Sequence, residues 1–265
     1  MLSNIYKIFL RIRKSIFKKF NLKIVPIENN SLKFLYPEAT NDEINIVKTA
    51  SKFSMTSIDR LFCLLRAIQH IDNNSLDGDF VECGVWKGGN LILFQKMIEK
   101  LKIKNKKIYG FDTFEGMSQP TNFDADIDNH FGGFTAKHYL NTQIKDANID
   151  NVHAYAPIDI VKENFKKNTK NLNNLILIKG KVENTLKIKS NIPQKISILR
   201  LDTDWYESTK VELEVLYTRL VKNGVLIIDD YGEWSGSRKA TDEFFKNKKI
   251  AMFKIDRSAR LIFKI

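Results

Sequence analysis

The stretch DFVECGVWKGGNLILFQKMIEKLKIKNKKIYGFD, residues 79–112, sets a segment of helical periodicity between two short apolar runs. A run of strand length, a helix and a second such run make up a parallel β-α-β unit. The alternation continues with the apolar runs LILIKG, ISILRLD and GVLIIDD and the helical segments PIDIVKENFKKN, STKVELEVLYTRL and SRKATDEFFKNK. The sequence therefore predicts a doubly wound α/β fold, with a mostly parallel sheet and helices on both faces.

The C-terminal end departs from this alternation. AMFKID and RLIFKI, within residues 251–265, are two strand-like runs separated by only three residues. Three residues cannot form a helical crossover, so the two runs are expected to pair as an antiparallel hairpin. The predicted sheet then has seven strands.

The part of the chain before residue 51 is predicted to lie outside the sheet domain, which we place at 51–265. Residues 1–20 repeat apolar side chains every three or four positions with lysine and arginine between them, which predicts a basic amphipathic helix. Residues 21–50 are polar and contain Pro26 and Pro37, as a connection does. We expect the N-terminal part to serve as a lid or dimer contact. Weak attachment to a membrane surface is the alternative.

Composition limits the class of protein. The 265 residues are 43% apolar, enough for a full core, and no apolar stretch reaches the roughly 18 to 20 residues that span a bilayer. The net charge of +12 comes largely from lysines scattered beside asparagines, without interleaved aromatic residues, so we expect no nucleic-acid partner. Cys63 and Cys83 have no metal or disulfide spacing, which favours the cytoplasm.

The first strand is followed by a loop with acidic and glycine residues, ECGVWKGGN at 82–90. Glu82 takes the place of the first glycine of a dinucleotide loop, where its charge would repel a pyrophosphate. The same charge suits a ligand with an ammonium and a sulfonium, such as S-adenosylmethionine. Gly84 allows close approach of the backbone, and Asp112, at the end of the second strand, suits a pair of ribose hydroxyls.

Four aspartates follow two consecutive strands: Asp202 and Asp204 after ISILRL, and Asp229 and Asp230 after GVLII. Because these strands should be neighbours, their carboxylates are expected to converge in one cleft. A divalent cation such as Mg²⁺ or Mn²⁺ would relieve the repulsion. Asp204 need not be a ligand and is a candidate base, while capping of the next helix is the structural alternative for this residue.

Several of these motifs together resemble a known family. They are SMTSIDRL (54–61), GDFVECGVWKGGN (78–90), GFDTFEGM (110–117), LRLDTDWYESTKVELEVLY (199–217) and NGVLIIDDYGEWSGSRKATDEF (223–244). The chain resembles the metal-dependent class I methyltransferases of the macrocin O-methyltransferase type, which methylate sugar hydroxyls in antibiotic and surface-glycan pathways. The resemblance implies a Rossmann-like fold.

The resemblance also implies roles for individual residues. Glu82 and Gly84 would hold the methionine part of S-adenosylmethionine, Asp112 its ribose with Thr113 and Phe114 alongside, and Met55 and Thr56 would close over it. Asp202, Asp229 and Asp230 would bind the metal, and Asp204 would be the general base.

We therefore expect a Mg²⁺- or Mn²⁺-dependent O-methyltransferase, a homodimer, whose acceptor is a nucleotide-linked or surface-glycan sugar such as a capsule or lipopolysaccharide precursor. A catechol-like or other small acceptor, or a non-catalytic S-adenosylmethionine-binding partner subunit, are the alternatives. Residues 115–150 show no clear period and suggest a lid or binding loop. Two further groups of residues near these motifs have alternative roles. His130, His138 and His153 are alternative bases, and Trp205, Tyr206, Tyr231 and Trp234 would form either a wall against a sugar or ordinary packing.

Overall fold

The computed structural model describes residues 32–124 and 136–265, and the chain divides into two units, Met1–Ile44 and Asn45–Ile265. In the first unit, the backbone N–H of Thr40 donates to Glu43 Oε2 at 2.8 Å and that of Glu43 to Thr40 Oγ1 at 3.3 Å. This reciprocal pair caps the start of a helix. The amphipathic helix predicted for 1–20 lies outside the described residues, and the boundary after residue 50 stays a prediction.

Seven strands in the described ranges form one sheet in the order β3-β2-β1-β4-β5-β7-β6. The first five strands are parallel, and β7 runs antiparallel to both β5 and β6. The predicted fold, with its C-terminal hairpin, is confirmed. The strands are β1 (Asp79–Cys83), β2 (Ile108–Asp112), β3 (Leu175–Lys179), β4 (Ile196–Leu201), β5 (Leu220–Ile228), β6 (Met252–Lys254) and β7 (Arg260–Phe263).

Helices cover the sheet on both faces, as parallel strands joined by helical crossovers require. None of those in the described part of the chain is long and apolar enough to cross a bilayer. They are α1 (Leu32–Leu35), α2 (Asn41–Ser51), α3 (Ile58–Asn73), α4 (Gly89–Leu101), α5 (Ala136–Thr142), α6 (Ile158–Asn168), α7 (Val182–Thr185), α8 (Tyr206–Leu216) and α9 (Ser235–Phe245), with 3-10 turns at Lys189–Asn191 and Tyr217–Arg219.

The centre of the sheet is the most deeply buried part of the fold. Every residue of β4 is buried, which explains its almost unbroken apolar sequence. The strand order reverses between β1 and β4, and in open α/β sheets ligands bind beyond the carboxyl ends of the strands at such a point. The fold therefore places the ends of β1 and β4 in the position expected of a binding cleft.

Three segments differ from the sequence-based expectation. The connection at 21–50 contains most of α2, and the loop at 115–150 contains the short helix α5. Helix α8 begins at Tyr206 rather than at Ser208, because Asp124 Oδ1, from a distant loop, accepts a hydrogen bond from the Tyr206 N–H at 2.7 Å. A cap supplied across 82 residues leaves no local signal in the sequence.

Candidate active site

A cavity of about 270 Å³ opens beyond the carboxyl ends of the parallel strands. It brings together the first loop, the end of β2, the segment before α3 and the aspartates after β4 and β5. The sequence-predicted residues that line it are Met55, Thr56, Gly84, Asp112, Thr113, Asp202, Asp204, Asp229 and Asp230. Glu82 and Phe114, also singled out from the sequence, do not line it.

Gly84 allows the ends of β1 and β4 to meet. Its φ is +83°, and a Cβ at this position would lie 1.8 Å from the backbone oxygen of Asp202. Any other residue would push the two chain segments apart, because that distance is far inside van der Waals contact. The close approach is thus first of all to the backbone of a candidate metal ligand.

Asp112 organises the first loop. Its Oδ2 accepts hydrogen bonds from the backbone N–H groups of Val85, at 2.7 Å, and Trp86, at 3.1 Å, and its Oδ1 accepts one from Phe114 at 2.6 Å. Burial raises the pKa of Asp112, while these N–H donors oppose the rise. Phe114 itself is buried with φ at +52°, so its contribution to the site is this backbone N–H.

Glu82 is 1% exposed and does not line the cavity. Its Oε1 accepts hydrogen bonds from Asn90 Nδ2 and from Arg200 Nη1, both at 2.7 Å. Burial raises the pKa of Glu82 to about 7, although Arg200 and Asn90 favour its charged form. The implied contact between Glu82 and a bound cofactor stays a prediction.

Three buried polar atoms of the first loop have no hydrogen-bond partner in the described structure. Two belong to residues that line the cavity, Oδ1 of Asn90 and Nε1 of Trp86, and the third is Oε2 of Glu82, which does not line it. Buried polar atoms are nearly always paired, so an unpaired acceptor and an unpaired donor in a cavity wall indicate a polar ligand. The ammonium of S-adenosylmethionine suits the first atom, and a carboxylate or hydroxyl oxygen suits the second, so the residues present fit this cofactor.

The predicted metal ligands converge. Asp202, Asp229 and Asp230 each offer a carboxylate oxygen, and these three oxygens lie within 4.8 Å of one another. Oxygens that bind one ion at about 2.1 to 2.6 Å can lie at most about 4.2 to 5.2 Å apart, so the spacing fits a single hard cation. Burial, followed by the charges of Asp204 and Asp202, raises the pKa of Asp230 well above its usual value.

Two arginines reach into this cluster. Arg60, on α3, donates to Asp229 Oδ2 and, from Nε at 2.6 Å, to Asp256. Arg200, on β4, donates to Asp202 at 2.7 Å and to Asp229 Oδ1. In the described part of the chain, these two guanidiniums pair with four carboxylates, those of Glu82, Asp202, Asp229 and Asp256, and the carboxylates of Asp204 and Asp230 lie beside them. The surplus of negative charge fits a divalent cation.

Asp204 lies beside Asp230, one of the three converging acids, and its backbone N–H donates to Asp230 Oδ2 at 3.3 Å. Its φ is +68°, in the left-handed region, and its Oδ1 accepts a hydrogen bond from Trp234 Nε1 at 2.8 Å. Burial raises the pKa of Asp204 to about 6. A carboxylate near that value is suited to accept a proton at neutral pH.

The macrocin-O-methyltransferase (TylF) family model matches residues 38–263, which is most of the chain. The chain belongs to this family. Family membership and fold make it an O-methyltransferase that uses S-adenosylmethionine, as the sequence motifs predicted.

Named relatives agree with this membership. Demethyldecarbamoylnovobiocin O-methyltransferase of Streptomyces niveus is 26% identical over 211 residues, 78% of this chain and 74% of the relative. An 8-demethyl-8-(2,3-dimethoxy-α-L-rhamnosyl)-tetracenomycin-C 4′-O-methyltransferase of Streptomyces olivaceus is 28% identical over 179 residues, covering 67% of this chain and 62% of the relative. The solved structure of the O-methyltransferase NovP, 24% identical, superposes with a TM-score of 0.67 over 80% of this chain and 82% of that one, which supports the fold.

Two of the three histidines considered as bases, His138 and His153, are among the described residues, and neither lines the cavity. His138 lies exposed on α5. His153 is buried, and its Nε2 is hydrogen-bonded to the backbone oxygen of Gln143 at 2.9 Å. The third, His130, lies outside the described residues. Asp204 is therefore the candidate base that the described cavity presents.

The aromatic residues beside the aspartates pack rather than line the cavity. The rings of Trp205 and Trp234 meet edge to face with centroids 5.1 Å apart, and Trp205 Nε1 donates to the Ser118 backbone oxygen at 3.0 Å. The hydroxyls of Tyr206 and Tyr231 bond to carboxylates on α9. Of the two roles considered from the sequence, these contacts match packing.

Sequence reasoning did not find Arg60, Arg200 or Asn90. Arg200 had an available signal, because a charged residue inside an otherwise apolar, buried strand must find a partner. Arg60 and Asn90 lie on helices whose sequences read as ordinary amphipathic segments. Their partners lie on other segments of the chain, which a linear pattern does not reveal.

Proposed function

We propose that this enzyme methylates a sugar hydroxyl in a reaction that depends on a divalent cation, with Asp204 as the base. The observation that carries the proposal is the content of one cavity. It contains the two unpaired polar atoms of the first loop that belong to lining residues, together with the three converging carboxylates of Asp202, Asp229 and Asp230. A donor site and an acceptor-activating site thus share a single space.

The cofactor would lie along the first loop and the end of β2. S-adenosylmethionine, when bound, supplies a methyl group on a positively charged sulfur. Met55 and Thr56, from the segment before α3, line the same cavity and would cover it. Asp112, with Thr113 beside it, would accept hydrogen bonds from the ribose hydroxyls, and Asn90 would add an acceptor for the ammonium.

Activation of the acceptor is assigned to the aspartates. A sugar hydroxyl is a poor nucleophile because its pKa lies far above neutral pH. A Mg²⁺ or Mn²⁺ ion held by Asp202, Asp229 and Asp230 would lower that pKa and orient the hydroxyl. With the cofactor bound, the hydroxyl oxygen would displace S-adenosylhomocysteine from the methyl carbon, and Asp204 would take the proton of the hydroxyl.

The proposed acceptor is a sugar, in nucleotide-linked form or as a capsule or lipopolysaccharide precursor. The name of one relative specifies methylation of a rhamnosyl group, which supports a sugar. The aromatic residues beside the aspartates support it as well, because they pack or bond elsewhere and do not line the cavity, where they could have stacked on a catechol ring. A homodimer, a cytoplasmic location and weak membrane contact through residues 1–20 stay predictions.

The test is a turnover screen with radiolabelled S-adenosylmethionine and Mg²⁺ against nucleotide sugars, glycan precursors and catechols. We expect methyl transfer to a sugar, loss of turnover after exhaustive EDTA treatment, and recovery when Mg²⁺ or Mn²⁺ is returned in excess. Turnover that survives chelation would contradict the cation mechanism. Transfer to catechols alone would contradict the acceptor class.

A further inference from the structure

The most buried cation of the site is the guanidinium of Arg200, which is 1% exposed. Its Nη1 donates to Glu82 and to Asp202, both at 2.7 Å, and its Nη2 donates to Thr56 Oγ1 at 2.8 Å and to Asp229. The partners come from β1, from the ends of β4 and β5 and from the segment before α3. One planar group therefore fixes the mutual position of two of the three candidate metal ligands.

Glu82 is the partner of Arg200 that has no place in the cavity wall. It lies on β1, and its Oε1 accepts hydrogen bonds from both Asn90 Nδ2 and Arg200 Nη1. Since a guanidinium is planar and binds carboxylates in a fixed fork, Glu82 on one side sets how Arg200 meets Asp202 and Asp229 on the other.

Charge gives the pair a second effect. Arg200 alone would offset much of the negative charge that attracts a cation to Asp202 and Asp229. The carboxylate of Glu82, in contact with the same Nη1, offsets the guanidinium in turn. Inside a protein such close charges interact strongly, so the acids keep the surplus that a divalent cation needs.

We propose that Glu82 and Arg200 form a positioning pair for the cation site, in which Arg200 holds Asp202 and Asp229 in place and Glu82 orients and offsets Arg200. The inference rests on the proposed function and deepens it. It gives Glu82 a role toward the cation, whereas the family resemblance implies a role toward the methionine part of the cofactor.

The experiment measures two affinities of the full-length protein. Electron paramagnetic resonance gives the dissociation constant of Mn²⁺, and calorimetry gives that of S-adenosylhomocysteine. The variants are Glu82→Gln, which keeps the shape and removes the charge, and Arg200→Lys, which keeps the charge and removes the fork. Glu212→Gln is the matched control, because Glu212 is also fully buried but bonds to Thr203 rather than to either arginine.

We expect both variants to weaken Mn²⁺ binding about 10- to 100-fold, as loss of an outer-shell partner does, with S-adenosylhomocysteine affinity within about threefold of the wild type. Glu212→Gln should bind both ligands as the wild type does. A purely structural role for the pair would lower both affinities together, or neither.

Three outcomes overturn the inference. Unchanged Mn²⁺ affinity in Glu82→Gln removes the positioning role, and a loss confined to S-adenosylhomocysteine makes Glu82 a cofactor ligand instead. If Glu82→Gln lost its cooperative unfolding transition, unchanged Mn²⁺ affinity in Arg200→Lys would contradict the proposal by itself. Absence of Mn²⁺ binding in the wild type would instead refute the cation dependence of the proposed function, a result that the variants do not affect.

Discussion

Buried charged groups are paired differently at the two ends of the parallel strands, which we call the amino edge and the carboxyl edge of the sheet. At the amino edge, Lys106 is 8% exposed, and its Nζ donates to the backbone oxygens of Leu76 and Gly78 and to Ser197 Oγ. Nearby, Lys195 pairs with Asp77 at 2.8 Å. At the carboxyl edge, carboxylates outnumber the two arginines that pair with them, and polar atoms of the cavity wall are left without partners. These polar groups have hydrogen-bond or ion-pair partners at the amino edge, whereas some polar atoms at the carboxyl edge have none in the described structure.

The difference separates stability from function. A satisfied buried charge fixes the fold, and the removal of one partner leaves others buried and unpaired. An unsatisfied cluster costs stability and persists where a ligand completes it. Substitutions at the carboxyl edge should therefore reduce activity, and substitutions at the amino edge should reduce stability. The following predictions test this difference in order of decreasing effect.

The largest effect is expected at the carboxyl edge. Asp204→Asn should lower kcat by about 10²- to 10⁴-fold, because the variant cannot accept the acceptor's proton. Its Oδ1 can still accept the hydrogen bond from Trp234, so affinity for S-adenosylhomocysteine, measured by calorimetry, should not change. A kcat near that of the wild type would assign the base to another residue.

Substitutions at the amino edge should change stability and leave kcat unchanged. Lys106→Met leaves the Leu76 backbone oxygen without its donor and the Gly78 oxygen with Ser197 Oγ alone, and it should lower the free energy of unfolding by about 1 to 3 kcal/mol. Chemical denaturation measures this loss. Because Lys106 lies at the opposite edge from the cavity, kcat at a temperature where the variant is folded should match that of the wild type. A tenfold loss of kcat would show that the two edges are coupled.

The pH dependence of stability should have opposite signs for Asp204, at the carboxyl edge, and Asp77, at the amino edge. The pKa of Asp204 is raised to about 6, so its folded form holds a proton that the unfolded form releases, and metal-free protein should lose stability as pH rises from about 4 to 6. Lys195 lowers the pKa of Asp77, which adds stability that is lost as pH falls through that lowered pKa. Relative to the wild type, the melting temperature of Asp204→Asn should therefore rise with pH, and that of Asp77→Asn should fall. The same sign for both would contradict the comparison.

The smallest effect is expected from the indole that holds the base. Trp234→Phe keeps most of the edge-to-face packing against Trp205 and removes the hydrogen bond to Asp204, so kcat should fall by about threefold to tenfold, as the loss of about one hydrogen bond implies. Steady-state kinetics at saturating cofactor measures the change. Trp205→Phe is the control, since the Nε1 of Trp205 bonds to a backbone oxygen and not to Asp204. Equal losses in both variants would point to packing as the cause.

The sequence was sufficient to predict the parts of the site that are encoded locally. A strand ends where its apolar run ends, and the residue that follows lies at the sheet edge, so the sequence alone predicts that Asp202, Asp229 and Asp230 lie together. The hairpin is equally local, because the five residues between β6 and β7, 255–259, are too few for a helical crossover.

The contacts that set the charge balance were not predictable in this way. Arg60 and Asp229 are 169 positions apart, and Arg200 and Glu82 are 118 apart. Pairing at such separations depends on the crossing of strands and helices, which a hydrophobic pattern specifies only as a fold class. Asp124 is a similar case, because it caps α8 from a loop of unpredicted course.

The most direct test of the account is the stoichiometry of Mn²⁺ bound to the full-length protein, measured by electron paramagnetic resonance. The wild type should bind one ion per chain, which Mg²⁺ displaces, and Asp230→Asn should bind it far more weakly, because Asp230 offers one of the three converging oxygens. A wild-type protein that binds no Mn²⁺ at millimolar concentration, or an Asp230→Asn variant that binds it equally well, would contradict the claim that the surplus carboxylates form a cation site.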